Sequence, residues 1–415
     1  MQATLASTSV LEGRAKKRAL TLIFVIMLMD IVGLSILFPV APFIVSRYSH
    51  DAINVTLLTV IYAAAQFISA PILGKLSDRV GRKPVLLLSV FGSAIGFFVF
   101  GIGGALWVLF LARLIDGITA GNLSTASAYI ADISKPEERA QNFTLIGMAF
   151  GFGFILGPAL GGLLGQISLD APAFAAGIIA LVSVALIYVA LPESLPQTQR
   201  ETSPIRPSDL NPLASIGQIA RKPSLGVLLV VACLFNFAFD GNNSISGVFV
   251  TNKFHAAPWQ LSLFLVLAGV ATAVVQAALV TKVMPRVGEK RMAMVSLLSQ
   301  AAGGLLIFAA PALWLLFPIG FVQSALTGFI FPALASLTTR GVSQREQGSL
   351  AGVNAALAGL MSALGPLVAG VVYDHVLPGA PYWISAAVLL IAVVLMTGVR
   401  TQHRVEASLA SPASA

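Results

Sequence analysis

Charge is scarce in this chain. Lys, Arg, Asp and Glu make up 10% of its 415 residues, where a soluble domain carries roughly a quarter. So little polar surface excludes an ordinary soluble globule and points to a bilayer as the solvent. Cysteine is nearly absent. Cys233 alone excludes an intramolecular disulfide framework and a cysteine metal site. The histidines, His50, His255, His375 and His403, fall in polar connections without metal-ligand spacing, so no metal is expected. There is no Walker-type phosphate loop and no Ser-His-Asp grouping on one side, so neither an enzyme nor a cofactor is expected. The N-terminal stretch does not read as a cleavable leader. Arg14, Lys16, Lys17 and Arg18 precede an apolar run from 19 to 45, longer than a signal core of roughly 7–15 residues and without a small-residue cleavage site. It reads as a retained first membrane helix.

What is present is hydrophobic residue in quantity, 57% of the chain. A spanning helix needs roughly 20 apolar residues. Twelve runs qualify: 19–45, 55–74, 84–105, 107–131, 140–165, 171–191, 224–251, 259–283, 291–310, 312–338, 347–373 and 380–399. The polar stretch 192–223, rich in Pro, Ser, Gln and Arg, reads as a flexible cytoplasmic linker. Residues 401–415 read as a disordered tail. The expected organisation is an all-α integral membrane protein with a bundle of six helices at 1–191 and a second at 224–400. With the N-terminus inside, the inner connections and termini hold 22 Lys and Arg and the outer ones only Arg47 and Lys253. That bias is the signature of cytoplasmic N- and C-termini. The net charge of +8 is thereby an orientation device, and no nucleic-acid partner is expected.

The halves repeat. "GKLSDRVGRK" at 74–83 aligns with "TKVMPRVGEK" at 281–290, an offset of 207. "DISKPEER" at 132–139 lies opposite "RGVSQREQ" at 340–347, and "GPALGG" at 157–162 opposite "GPLVAG" at 365–370, both offset by 208. Parallel repeats imply a pseudo-two-fold axis along the membrane normal and a substrate site near the midplane.

These stretches carry a resemblance. The segment from Gly74 through Asp78, Arg79, Gly81 and Arg82 to Lys83 resembles the loop signature after the second helix of the major facilitator superfamily. "LARLIDG" at 111–117 resembles its fourth-helix arginine motif, and "LPES" at 191–194 the close of its sixth helix. "GFILGPALGG" at 153–162 resembles the fifth-helix motif of antiporters, with Gly153, Gly157, Pro158, Gly161 and Gly162. "YIADI", "FPVAP" and "KFH" are similar to tetracycline/proton antiporters. Two departures stand out: where those exporters carry an acid in the third and ninth helices, this chain has Gly96 and Gln300. The resemblance implies the major facilitator fold of two pseudo-symmetric six-helix bundles. It also implies a drug/proton antiporter in the cell membrane, and a gating loop whose contacts latch the inner gate. Asp78 is then expected near a helix N-terminus of the other half. Arg79 and Arg82 are expected to pair with acids, Asp132 and Glu137 being near. A bend at Pro158 seals against leak on this reading; ordinary close helix packing explains the same glycines.

Ionisable groups inside a membrane cost roughly 2.5–3.5 kcal/mol each on insertion scales. Four stand out: Asp30, Arg113, Asp116 and Asp240. Depth along the helices places Asp30 opposite Arg113, where desolvation of the carboxylate and the nearby guanidinium oppose each other. Asp116 doubles as a neutralising partner for Arg113 at i+3. Asn236, Asp240, Asn243, Ser244 and Gly247 share one helix face; Arg113, Asp116, Ser124 and Ser127 a second; Tyr62, Gln66 and Ser69 a third. Asn122 falls half a turn off the Arg113 face and is excluded. The expected partners are a small lipophilic or amphipathic substrate, protons and the lipid bilayer, for a monomeric protein exporting drugs by alternating access. The alternative is a metabolite or sugar facilitator or symporter of the same superfamily.

Overall fold

The computed structural model describes residues 13–202, 223–340, 342 and 347–399. Linker residues 203–222 and the tail 401–415 lie outside the described residues. All regular structure among the described residues is helical, and twelve helical stretches are long and apolar enough to cross a membrane. They are Gly13–Ser35, Ala52–Val80, Arg82–Ile102, Leu106–Asp132, Glu137–Leu164, Ala171–Ala190, Leu225–Phe254, Pro258–Val287, Glu289–Ala309, Leu313–Thr339, Leu350–His375 and Ala380–Gly398. They are numbered as crossings one to twelve.

Local chemistry sets their ends. The first apolar run does not continue as one helix to 45: the helix stops at Ser35, ahead of Pro39, and Pro42 starts a one-turn helix, Ala41–Val45. The charged signature after the second run is itself mostly helix. Crossing two continues through Asp78 and Arg79 to Val80, and the turn is confined to Gly81, whose φ of +110° an L side chain rarely adopts. Gly288, at φ +90°, makes the same turn between crossings eight and nine. Crossing four is interrupted at Thr119–Gly121, between Leu106–Ile118 and Asn122–Asp132. Crossing ten is interrupted at the matching place, Gly328 and Phe329. In crossing eight a π-helical turn occupies Val275–Leu279.

The chain packs as two compact units. The first holds the described residues up to 202 together with Ser244–Val270; the second holds 223–243 and the residues from 271 onward. In the first unit crossing one packs on five and six, and crossing three on four and six. Its core joins Ile23, Ile26 and Met27 to Leu86, Leu109, Tyr129 and Ile187. In the second, crossing nine packs on ten and twelve, around Phe235, Leu297, Ile330, Leu389 and Met396. Outward faces carry exposed apolar side chains such as Ile102, Val189, Ile391 and Val394, as a surface solvated by acyl chains requires.

Candidate functional site

Asp30 is half-buried on a first crossing whose buried face is otherwise mostly aliphatic. One of its oxygens accepts a hydrogen bond from Asn122 Nδ2 at 2.6 Å. Arg113 and Asp116 are buried in the upper segment of crossing four. Arg113 Nη1 bonds Asp116 Oδ2 at 2.7 Å across one helical turn, and Arg113 Nε donates to Leu58 O at 3.4 Å. The guanidinium carbon stands 4.3 Å from the Tyr62 ring centre, within cation–π range. Removing either member of such a pair strands the other, at a cost of about 3–5 kcal/mol. Gln66 Nε2 donates to Tyr62 Oη at 3.3 Å, and Ser69 Oγ to Gly117 O at 2.8 Å. The polar face of crossing two therefore rests against crossing four.

Asp30 and Arg113, expected to face each other, thus have separate partners. The expected face through Arg113, Asp116, Ser124 and Ser127 is not continuous either. Ser124 is exposed, while Asn122, excluded by that register, is buried and meets Asp30. The cause is the break at Thr119–Gly121, through which a register carried down from Arg113 does not survive. Gly117 and Gly121, two glycines in five residues, were the legible warning. Gly96 seats this charged turn: a Cβ there would stand 3.0 Å from Ala112 O and 3.1 Å from Asp116 Cβ. Crossing three can therefore carry no acid at 96 without a shift.

In the second unit Asp240 accepts a hydrogen bond from Ser362 Oγ at 2.5 Å. Asn236 turns back on its own helix, donating to Ala232 O at 2.8 Å, and Asn243 is exposed. The buried polar groups here are neutral. Gln300 Oε1 accepts from Gln323 Nε2 at 3.0 Å and from Thr327 Oγ1 at 3.2 Å, and Asn242 Oδ1 accepts from Ser385 Oγ at 2.9 Å.

The gating loop builds a clasp inside the first unit. Arg82 Nη1 donates to Ser77 Oγ and to Asp78 Oδ1, each at 2.6 Å, and Arg82 Nε to Asp132 Oδ2 at 3.0 Å. Asp78 is thus engaged by Arg82, four residues on in the chain. Glu193 of the "LPES" segment caps crossing three, taking the backbone N–H of Arg82 at 2.9 Å and of Lys83 at 3.2 Å. Ser194 Oγ donates to Asp132 Oδ2 at 3.0 Å. Arg79 and Glu137 form no ion pair among the described residues. Gly74 has open space where a side chain would be.

The repeat offset finds a counterpart that the motif does not announce. Positions 82 and 132 correspond to 289 and 340, and Glu289 pairs with Arg340, so the ion pair recurs with its charges exchanged. The neighbouring lysines recur unchanged: Lys83 Nζ donates to Tyr188 O at 2.9 Å, and Lys290 Nζ to Thr397 O at 2.7 Å and Val399 O at 2.6 Å. Each ties off the last helix of its half. Arg82 is 7% exposed and holds three side-chain acceptors, whereas the Arg340 side chain is 54% exposed. Arg82→Met is therefore expected to destabilise by about 3 kcal/mol and Arg340→Met by under about 1 kcal/mol. Thermal midpoints of the detergent-solubilised variants check this; equal shifts would contradict it.

The fifth-helix glycines divide between two neighbours. A Cβ at Gly153, Gly157 or Gly161 would meet Ile31, Ser35 or Ile36 O of the first crossing and the turn after it. Ser35 Oγ donates to Gly153 O at 3.0 Å. Gly162 instead lies against Ser262, whose hydroxyl donates to Pro158 O. Pro158, lacking an N–H, leaves Phe154 O without its i+4 donor, and Gly269 approaches that carbonyl.

Twelve apolar crossings, with only a few charged side chains set among them, make a polytopic α-helical membrane protein. The model of the Major Facilitator Superfamily matches residues 23–288 and 241–415, and the chain belongs to that family. It is 34% identical over 358 residues to the tetracycline resistance protein, class C, of Escherichia coli, covering 86% of this chain and 89% of that one. Over 365 residues it is 26% identical to multidrug resistance protein 2 of Bacillus subtilis (strain 168), covering 85% and 89%. Among solved structures it is similar to the human organic anion transporter MFSD10 (TETRAN), with a TM-score of 0.71 and 27% identity, covering 92% of this chain and 100% of that chain.

Proposed function

We propose that this protein exports small lipophilic or amphipathic compounds from the cytoplasm in exchange for protons. The two six-helix bundles, 1–191 and 224–400, alternate access to a shared site, and both termini face the cytoplasm. The carrying observation is Asp30, a membrane-embedded carboxylate held by the neutral amide of Asn122 rather than by a cation. Such a group can lose and regain a proton without dismantling an ion pair. Asp240, held by the Ser362 hydroxyl, is of the same kind. Arg113 and Asp116 already neutralise each other and stay paired throughout the cycle. The likeness to tetracycline and multidrug resistance proteins supports drugs as cargo.

Substrate entering from the cytoplasm favours loss of the Asp30 or Asp240 proton. The loaded bundles rock, and cargo leaves outside. A proton from outside then neutralises the acid and permits return. One proton moving inward through 100 mV supplies about 2.3 kcal/mol, enough for roughly 50-fold accumulation.

The test is proton release from purified protein into weakly buffered detergent solution, read by a pH dye, against tetracycline, a fluoroquinolone and tetraphenylphosphonium. Export predicts release with at least one bound compound and its reduction in Asp30→Asn or Asp240→Asn. Binding without release at any pH overturns the coupling and favours a facilitator.

A further inference from the structure

The break in crossing four gathers buried oxygens without protein partners. Asn122 Oδ1, Thr125 Oγ1 and Ser89 Oγ are buried and have no hydrogen-bond partner among the described residues. They belong together. A Cβ at Gly121 would stand 3.1 Å from Ser89 Oγ, and Thr125 lies one turn below Gly121 on the same helix face. The other end of the Asn122 amide is bonded to Asp30. A hydroxyl or amide oxygen left bare in a membrane interior is costly, and a bound water needs two to four polar partners. These three oxygens supply them. Below them the same face of the lower segment continues with Tyr129 and Asp132, at i+7 and i+10 from Asn122. Tyr129 is fully buried with its hydroxyl donating to Pro192 O at 2.8 Å, and Asp132 belongs to the inner clasp.

We propose that Ser89, Asn122 and Thr125 hold bound water at this break, and that this water is the route by which Asp30 gives up and regains its proton. The Asp30 O–H bond breaks, an O–H bond forms on the bound water, and that water gives up one of its own protons in turn. A carboxylate remains, and no electron moves. The nearest charges, Asp116 and Arg113, are paired with each other and take no proton in this exchange. The three side chains are positioning residues: they hold the water and do not themselves ionise.

The route deepens the antiport reading and rests on it, but its test needs no cargo. A pH jump on the full-length protein in detergent, followed by time-resolved infrared spectroscopy, reports the carboxyl band that Asp30→Asn removes. Thr125→Val, nearly the same shape, and Ser89→Ala are expected to slow that band's response about tenfold, the scale of one lost hydrogen bond, with an unchanged endpoint. Thr125→Ser, which restores the hydroxyl, is expected to restore the rate. Wild-type rates in both variants overturn the route while leaving antiport standing. The absence of any band removed by Asp30→Asn overturns the route and Asp30 as carrier together.

Discussion

Asp30→Asn is expected to give a folded, membrane-inserted protein that exchanges cargo across the bilayer but no longer accumulates it. The substitution is isosteric and keeps the oxygen that accepts from Asn122 Nδ2, so the contact between crossings one and four survives. What disappears is the exchangeable proton. Without it the inward gradient exerts no pull, and the roughly 50-fold accumulation that one proton supports at 100 mV falls to about one. Proteoliposomes separate the two quantities. Gradient-driven accumulation should vanish, while exchange of labelled for unlabelled cargo at equal concentrations should persist. Undiminished accumulation in Asp30→Asn would remove this residue from the coupling. A second variant, Asp240→Asn, then shows whether the seventh crossing carries the proton instead.

Gly157→Leu is expected to abolish the folded protein. Gly153, Gly157 and Gly161 recur at i, i+4 and i+8, and each brings crossing five against the first crossing or the turn that follows it. At Gly157 an added Cβ would press on Ser35 and stand 3.0 Å from Val32 O. The opposing atoms include backbone, which cannot swing aside. Overpacking of this kind costs about 3 kcal/mol, and the displaced helix also loses the Ser35–Gly153 bond. Membrane yield and the monodispersity of the solubilised protein measure the effect. Gly147 and Gly151, on the same helix, have open space where a side chain would be. Leucine at either should be tolerated, and equal damage at all positions would mean that the glycines act through helix flexibility instead of contact.

Much of this was legible in the sequence. Runs of about twenty apolar residues located every crossing, because a bilayer leaves few alternatives for an unpaired backbone. The clasp between Arg82 and Asp132 was visible as opposite charge at two inner connections. Less visible was anything that depends on register through an irregular segment. The Asp30–Asn122 bond was missed because 3.6-residue periodicity was carried across Thr119–Gly121, where there is no helix to carry it. Ser362 was missed for a different reason, being an ordinary polar residue until its partner on a distant crossing is known, and Glu193 was noted only as part of "LPES", without its capping role. The second-half pair was hidden by its polarity. Glu289 stands opposite Arg82 and Arg340 opposite Asp132, so neither position repeats its residue type.

That reversed polarity bears on how the polypeptide sorts itself during insertion. Duplicated hairpins resemble each other closely enough to dock on the wrong neighbour while the chain is still emerging. A third crossing misplaced onto the tenth would set Arg82 against Arg340, and a ninth misplaced onto the fourth would set Glu289 against Asp132. Both errors juxtapose like charges at the membrane edge, a repulsive cost that favours each half's own hairpin over its copy.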